Sequence, residues 1–108
     1  MRLTKRLRWR LGFARVVRSQ LRTGRPPEVA ETYARLRAAG LSRWRARRLL
    51  TAAYEAEVAA MILEQRVYDH VRYLQRVAAL PDPPRPSLDD VPSRQPRARL
   101  SATDERAS

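Results

Sequence analysis

Apolar side chains recur at helical spacing from the start of the chain. Leu3, Leu7, Leu11, Ala14, Val17 and Leu21 stand four and three apart, as one face of a helix requires. Trp9, Phe13 and Val16 form a second apolar patch beside that stripe, while Arg8, Arg15, Arg18 and Arg22 fall on the opposite side. The pattern predicts an amphipathic basic helix from about Leu3 to Leu21. Thr23-Gly24-Arg25-Pro26-Pro27 breaks it as a turn. A proline suits the first turn of the next helix, where a missing N–H costs nothing, and Glu28 and Glu31 favour the positive end of its dipole. This second helix runs to Ala39 with Val29, Tyr33 and Leu36 inward. Gly40 stops it, and Ser42 is placed to cap a third.

The third helix carries the longest pattern. Leu49, Ala53, Ala56, Ala60, Leu63 and Val67 repeat as an unbroken seam, with Leu50, Tyr54 and Met61 on an adjacent face and Val58 and Ile62 widening the arc. A helix apolar around so much of its circumference belongs at the centre of a bundle, and the alanines let neighbours approach closely. Asp69 caps a short fourth helix in which Val71, Leu74, Val77 and Leu80 turn inward. Pro81-Asp82-Pro83-Pro84-Arg85-Pro86 ends the pattern, and six of the eight prolines lie from here on. Such a segment has too little apolar surface to offset its ordering entropy. The expectation is an all-α chain: a compact three- to four-helix bundle with a long central third helix and a disordered C-terminal tail. Residues 1–22 are its basic amphipathic helix, 26–80 its helical core and 81–108 the tail.

Length and charge sharpen the picture. A chain of 108 residues has room for one domain with a modest core. It has no cysteine, which excludes disulfides, thiolate metal sites and cysteine nucleophiles. No apolar run nears the roughly 20 residues needed to span a bilayer, and arginines interrupt every stretch that could serve as a secretory signal. A cytoplasmic location is expected. The net charge is +12, and residues 1–27 hold nine Lys/Arg and no acid. The following residues to 80 hold nine basic and six acidic side chains, and the remainder balance. An excess placed this way points to a polyanion such as nucleic acid, an anionic membrane or an acidic protein face. Solvated arginines without a partner are the plain alternative.

Little else carries chemistry. His70 stands alone beside Asp69, far short of the roughly four ligands of a zinc site. Glu57 and Glu64 lie on one side of the third helix, where Arg66 or Arg72 would make them structural ion pairs rather than an acid–base couple. The three glycines are dispersed, so no loop cradles phosphate. No enzyme activity, cofactor or metal is expected. The most pointed feature is Arg43-Trp44-Arg45-Ala46-Arg47-Arg48. Four cations in the first turns oppose the helix dipole, which prefers anions there, and such local conflict marks functional sites. Arg43, Arg45, Arg47 and Arg48 suit phosphate contacts, and Trp44 suits stacking on a base. Against this, the arginines could pair with Glu28 or Glu31 while Trp44 covers the core. The helix–Gly–x–Ser–helix stretch also admits a helix-turn-helix reading, although Leu36 is bulky for that crossing and the third helix is long for it.

From Pro26 to Pro81 the chain resembles a group of small bacterial helical proteins of unknown function. The resemblance rests on Pro26-Pro27-Glu28-Val29, Glu31-Thr32, Arg35-Leu36, Gly40, Ser42 and Ala46. It continues through the alanine-rich helix to Tyr68-Asp69, Arg72-Tyr73 and Leu80-Pro81. It implies a compact helical fold and a bacterial cytoplasmic setting, and no activity. Where that group is acidic at the start of the third helix, this chain has its four arginines, and its first helix is more basic than the usual leader. The leading expectation is a non-enzymatic binding protein that contacts nucleic acid or another polyanion through Arg8, Arg15, Arg18, Arg22 and the Arg43–Arg48 stretch. A protein adaptor or homodimer through the alanine seam is the second. A third lays the first helix on an anionic membrane with Trp9 and Phe13 dipping in, and an organellar transit peptide would share its Arg-rich look.

Overall fold

The structure is a computed structural model and describes residues 5–92. Four helices succeed one another, α1 (Lys5–Thr23), α2 (Pro27–Ala38), α3 (Arg43–Glu64) and α4 (His70–Ala79), and a 3-10 turn, η1, follows at Leu88–Asp90. Among the described residues there is no strand. The chain is all-α, and α3 packs against every other element.

Local chemistry sets the ends of the helices. Pro26 and Pro27 open α2. Gly40, at φ +102°, lets the Leu41 N–H turn back to the Leu36 carbonyl at 3.1 Å, a left-handed stop that glycine adopts without steric cost. Ser42 Oγ then accepts the Arg45 N–H at 3.1 Å and starts α3. Asp69 Oδ1 accepts the Arg72 N–H at 3.2 Å and starts α4. Both caps answer N–H groups that a helix start leaves without partners.

The main core gathers Val17, Val29, Leu36, Ala46, Leu50, Ala53, Tyr73, Val77 and Leu80, all essentially without exposure. Ala56, Ala59 and Ala60 are equally buried, so the small side chains of α3 are covered by its neighbours within one chain. That removes the alanine seam as a surface for a second copy. The seam is shorter than its spacing suggests. α3 ends at Glu64 because Gln65 turns left-handed, which leaves Leu63 half exposed and Val67 82% exposed. Val71, expected inward, is 63% exposed; Val77 and Leu80 are buried as expected, and Tyr73 joins them.

Two further expectations are corrected. Leu3 lies outside the described residues, but Leu7 and Leu11 are largely exposed. Arg6, Arg10 and Phe13 face inward in the first half of α1, one residue out of phase with the expected stripe, while Val17 is buried as expected and Leu21 packs against the core. The partners of α1 explain the shift. The surface under the first half of α1 presents the Glu55 carboxylate and the carbonyls of residues 88 and 91, which need donors rather than methyl groups. The second correction concerns the segment from Pro81, expected to be disordered throughout. Up to Pro92 most of its residues are exposed, but two anchor it to the bundle. Leu88 and Val91 are buried in a small cluster of their own with Ala59, flanked by Phe13 and Ile62. Residues 93–108 of that segment lie outside the described residues.

Candidate polyanion interface

Beside arginines that donate to backbone carbonyls, such as Arg6, Arg35 and Arg37, two sets of arginines stand out. One set is held by acids of the bundle. Glu55 and Glu57 lie two apart on α3 and leave it on different sides, and both are buried. Glu57 receives a forked contact from Arg66, at 2.7 and 3.2 Å, the Asp69 N–H at 2.9 Å and Arg76 at 3.5 Å. Arg66 also reaches Glu64 at 2.6 Å, and Arg72 joins that carboxylate at 3.1 Å. On the other side, Arg10 forks onto Glu55 at 3.1 and 3.2 Å and touches Asp89 at 3.3 Å. The Leu88 N–H donates to Glu55 Oε2 at 2.8 Å.

Titration follows these contacts. Burial alone pushes the Glu57 carboxyl up, but the Arg66 hydrogen bonds, the Asp69 N–H and the nearby Arg66 and Arg76 charges together outweigh it and hold the group below the usual carboxylate range. The Arg66 hydrogen bond holds Glu64 low as well, and the same contacts push Arg66 itself up. Arg10 rises through its bond to Glu55. Groups this fully satisfied are structural. His70 stands apart from these groups, exposed, with its Nδ1 2.9 Å from the Tyr68 hydroxyl.

The second set stands on the first turns of α3. Ser42 fixes where the helix starts, and buried Ala46 and Leu50 fix its rotation. Arg43, Trp44, Arg45, Arg47 and Arg48 are thereby exposed. Trp44 does not cover the core: it is 65% exposed, and the Arg48 guanidinium lies over its ring at 4.9 Å, a cation–π contact. Among the described residues none of the four arginines forms an ion pair. The alternative pairing with Glu28 and Glu31 is not formed. α3 has no acid in its first turn and no base in its last, so its charges run against its own dipole.

Arg8, Arg15, Arg18 and Arg22 are exposed along α1. No ion pair or hydrogen bond among the described residues links them to the α3 cluster. α1 crosses α3 where Arg10 meets Glu55 and the Phe13 ring meets Tyr54 edge-on at 5.3 Å. It then continues over α4, where Gln20 accepts the Tyr73 hydroxyl at 2.7 Å. The α1 arginines therefore form a separate basic flank. Phe13 is partly buried in this crossing, while Trp9 and Leu11 are exposed.

No group of carboxylates and His that could hold a metal occurs among the described residues, and no described helix is long and apolar enough to cross a membrane. Comparison with protein-family models, curated proteins and solved structures finds no match to this chain. The geometry is thus the only guide to what the site does. Sequence reasoning missed Glu55, Arg6 and Arg10. The signal for Glu55 was present, since a carboxylate inside a helix apolar on all sides has to be answered by a cation or an N–H.

Proposed function

We propose that this chain is a non-enzymatic binding protein whose first turns of α3 contact nucleic acid through phosphate groups. The observation that carries the reading is the separation of its arginines. Those with a structural task are matched to Glu55, Glu57, Glu64 and Asp89, whereas Arg43, Arg45, Arg47 and Arg48 are exposed with no ion pair among the described residues. Four like charges within six positions oppose both one another and the helix dipole. A sequence shaped for stability alone would place acids there. A phosphate backbone relieves both repulsions at once, and the release of its counterions drives the association. Exposed Trp44 adds a ring on which an unpaired base can stack. The α1 flank adds long-range attraction.

Fluorescence anisotropy with labelled random-sequence DNA and RNA, over a salt series, tests this. The expected result is binding that weakens steeply with salt and shows little sequence preference. Absence of binding at moderate salt would remove the reading in favour of a protein adaptor with solvated arginines.

A further inference from the structure

The last described segment points to a second interaction surface, independent of the α3 cluster. Residues 87–91, Ser-Leu-Asp-Asp-Val, sit across α1 and α3 as a short capped turn. Ser87 Oγ accepts the Asp89 N–H at 3.1 Å, and the Ser87 N–H donates to Asp90 Oδ2 at 2.9 Å. This capping box closes the turn on itself and turns Leu88 and Val91 to the same side. Both are buried against Ala59, Phe13 and Ile62, in a cluster separate from the main core. The framing contacts read backbone as much as side chain. Glu55 Oε2 accepts the Leu88 N–H at 2.8 Å. Arg6 Nε donates to the Leu88 carbonyl at 3.0 Å, and a second Arg6 nitrogen donates to the Val91 carbonyl. Arg10 holds Asp89 at 3.3 Å.

We propose that this groove is a docking site for a short acidic peptide of the form hydrophobic-Asp-Asp-hydrophobic, and that the chain's own residues 87–91 occupy it when no partner is bound. Three features carry the assignment. A carboxylate at the floor of an apolar groove is costly to bury, and here it is aimed at the backbone N–H of the docked segment. Main-chain capture combined with two apolar anchors is the general way in which short peptides are recognised. The segment is also a separable module, since it hangs from a proline-rich stretch and its anchors pack outside the main core. Charge selects the partner: a chain of net charge +12 attracts an acidic peptide and repels a second copy of itself. The tethered segment competes from within the same chain, so a partner must overcome an effective concentration in the millimolar range.

The test uses the full chain with Leu88→Ser and Val91→Ser, which empties the groove, and a labelled peptide of sequence Arg-Pro-Ser-Leu-Asp-Asp-Val-Pro as the probe. Circular dichroism establishes that the variant is folded, and Leu88→Ala serves as a milder version. The expected result is saturable binding to the emptied variant and at least tenfold weaker binding to the unaltered chain. Adding Glu55→Gln should weaken the variant's binding about tenfold, and a scrambled peptide of equal charge should not bind. Equal binding to emptied and unaltered chains, or equal binding of the scrambled peptide, would show that general charge attraction is being measured and would overturn the proposal. Failure of the peptide to bind a folded variant, or loss of folding in both variants, would make the segment a fixed part of the fold and overturn it too.

Discussion

The two halves of α3 treat charge in opposite ways. In the second half, Glu55 and Glu57 are buried among alanines, and each is answered by an arginine fork and a backbone N–H. In the first half, four arginines stand in solvent around an exposed Trp44, with only the Arg48 guanidinium over its ring. One helix thus holds charges that the fold requires beside charges that the fold tolerates. The first kind organises structure, because a buried carboxylate dictates what lies around it. The second kind takes part in no ion pair among the described residues, so its removal leaves those pairs intact.

The largest expected effect follows from the first kind. Glu57→Ala leaves Arg66 and Arg76 facing a vacated site, and breaking a buried pair in this way costs about 3–5 kcal/mol. Both arginines keep about a fifth of their surface in water, which favours the lower end. Chemical denaturation measures it. The acid side has a definite sign. The folded-state value of Glu57 is depressed, so this group stabilises the fold fully above its unfolded value near 4.3. That contribution is lost as pH falls through the lower folded value. Glu57→Gln should therefore flatten the loss of stability below about pH 4.3.

Next in size is Ala60→Leu on the same half of α3. Ala60 is 1% exposed, and overfilling such a site costs about 1–3 kcal/mol. Ala60 facing solvent would leave stability unchanged and misplace α3 as the spine. Truncation after Leu80 is a smaller perturbation. It removes Leu88 and Val91 and exposes Glu55, and the melting temperature should drop by more than about 5 °C, roughly a kilocalorie for so small a domain. An unchanged melting point would mean that residues 87–91 are not docked in solution.

Much of the bundle could be read from residue order. Ser42 and Asp69 cap the helices that their neighbours suggest, Gly40 stops α2, and the alanines of α3 face its partners. The errors have a common physical origin, because apolar periodicity does not register a buried charge. Leu7 and Leu11 fit the stripe of α1 better than Arg6 and Arg10, yet the arginines face inward because Glu55 lies beneath them. The 87–91 segment hid in a proline-rich context, although Ser87 followed by Asp90 is a capping-box spacing, and Leu88 and Val91 stand three apart beside it. At the candidate interface, the conflict between Arg43–Arg48 and the helix dipole was visible from the sequence. The exposure of Trp44 was not, since a tryptophan in the first turn of a helix could equally cover a core.

The smallest expected change in stability belongs to the arginines of the first half. Replacing Arg43, Arg45, Arg47 and Arg48 by Gln should leave helical content unchanged and stability equal or slightly higher, since each cation at a helix start costs about 0.3–1 kcal/mol. The most direct test sets this variant beside Arg66→Gln and measures denaturant stability and salt-dependent oligonucleotide affinity on both. The four-arginine variant should keep its stability while its affinity falls and its salt slope flattens by about 0.9 for each duplex phosphate it no longer neutralises. Arg66→Gln should lose stability and keep the affinity and slope of the unaltered chain. If the four-arginine variant unfolds, or if both variants lose affinity equally, α3 does not divide its charges between folding and binding.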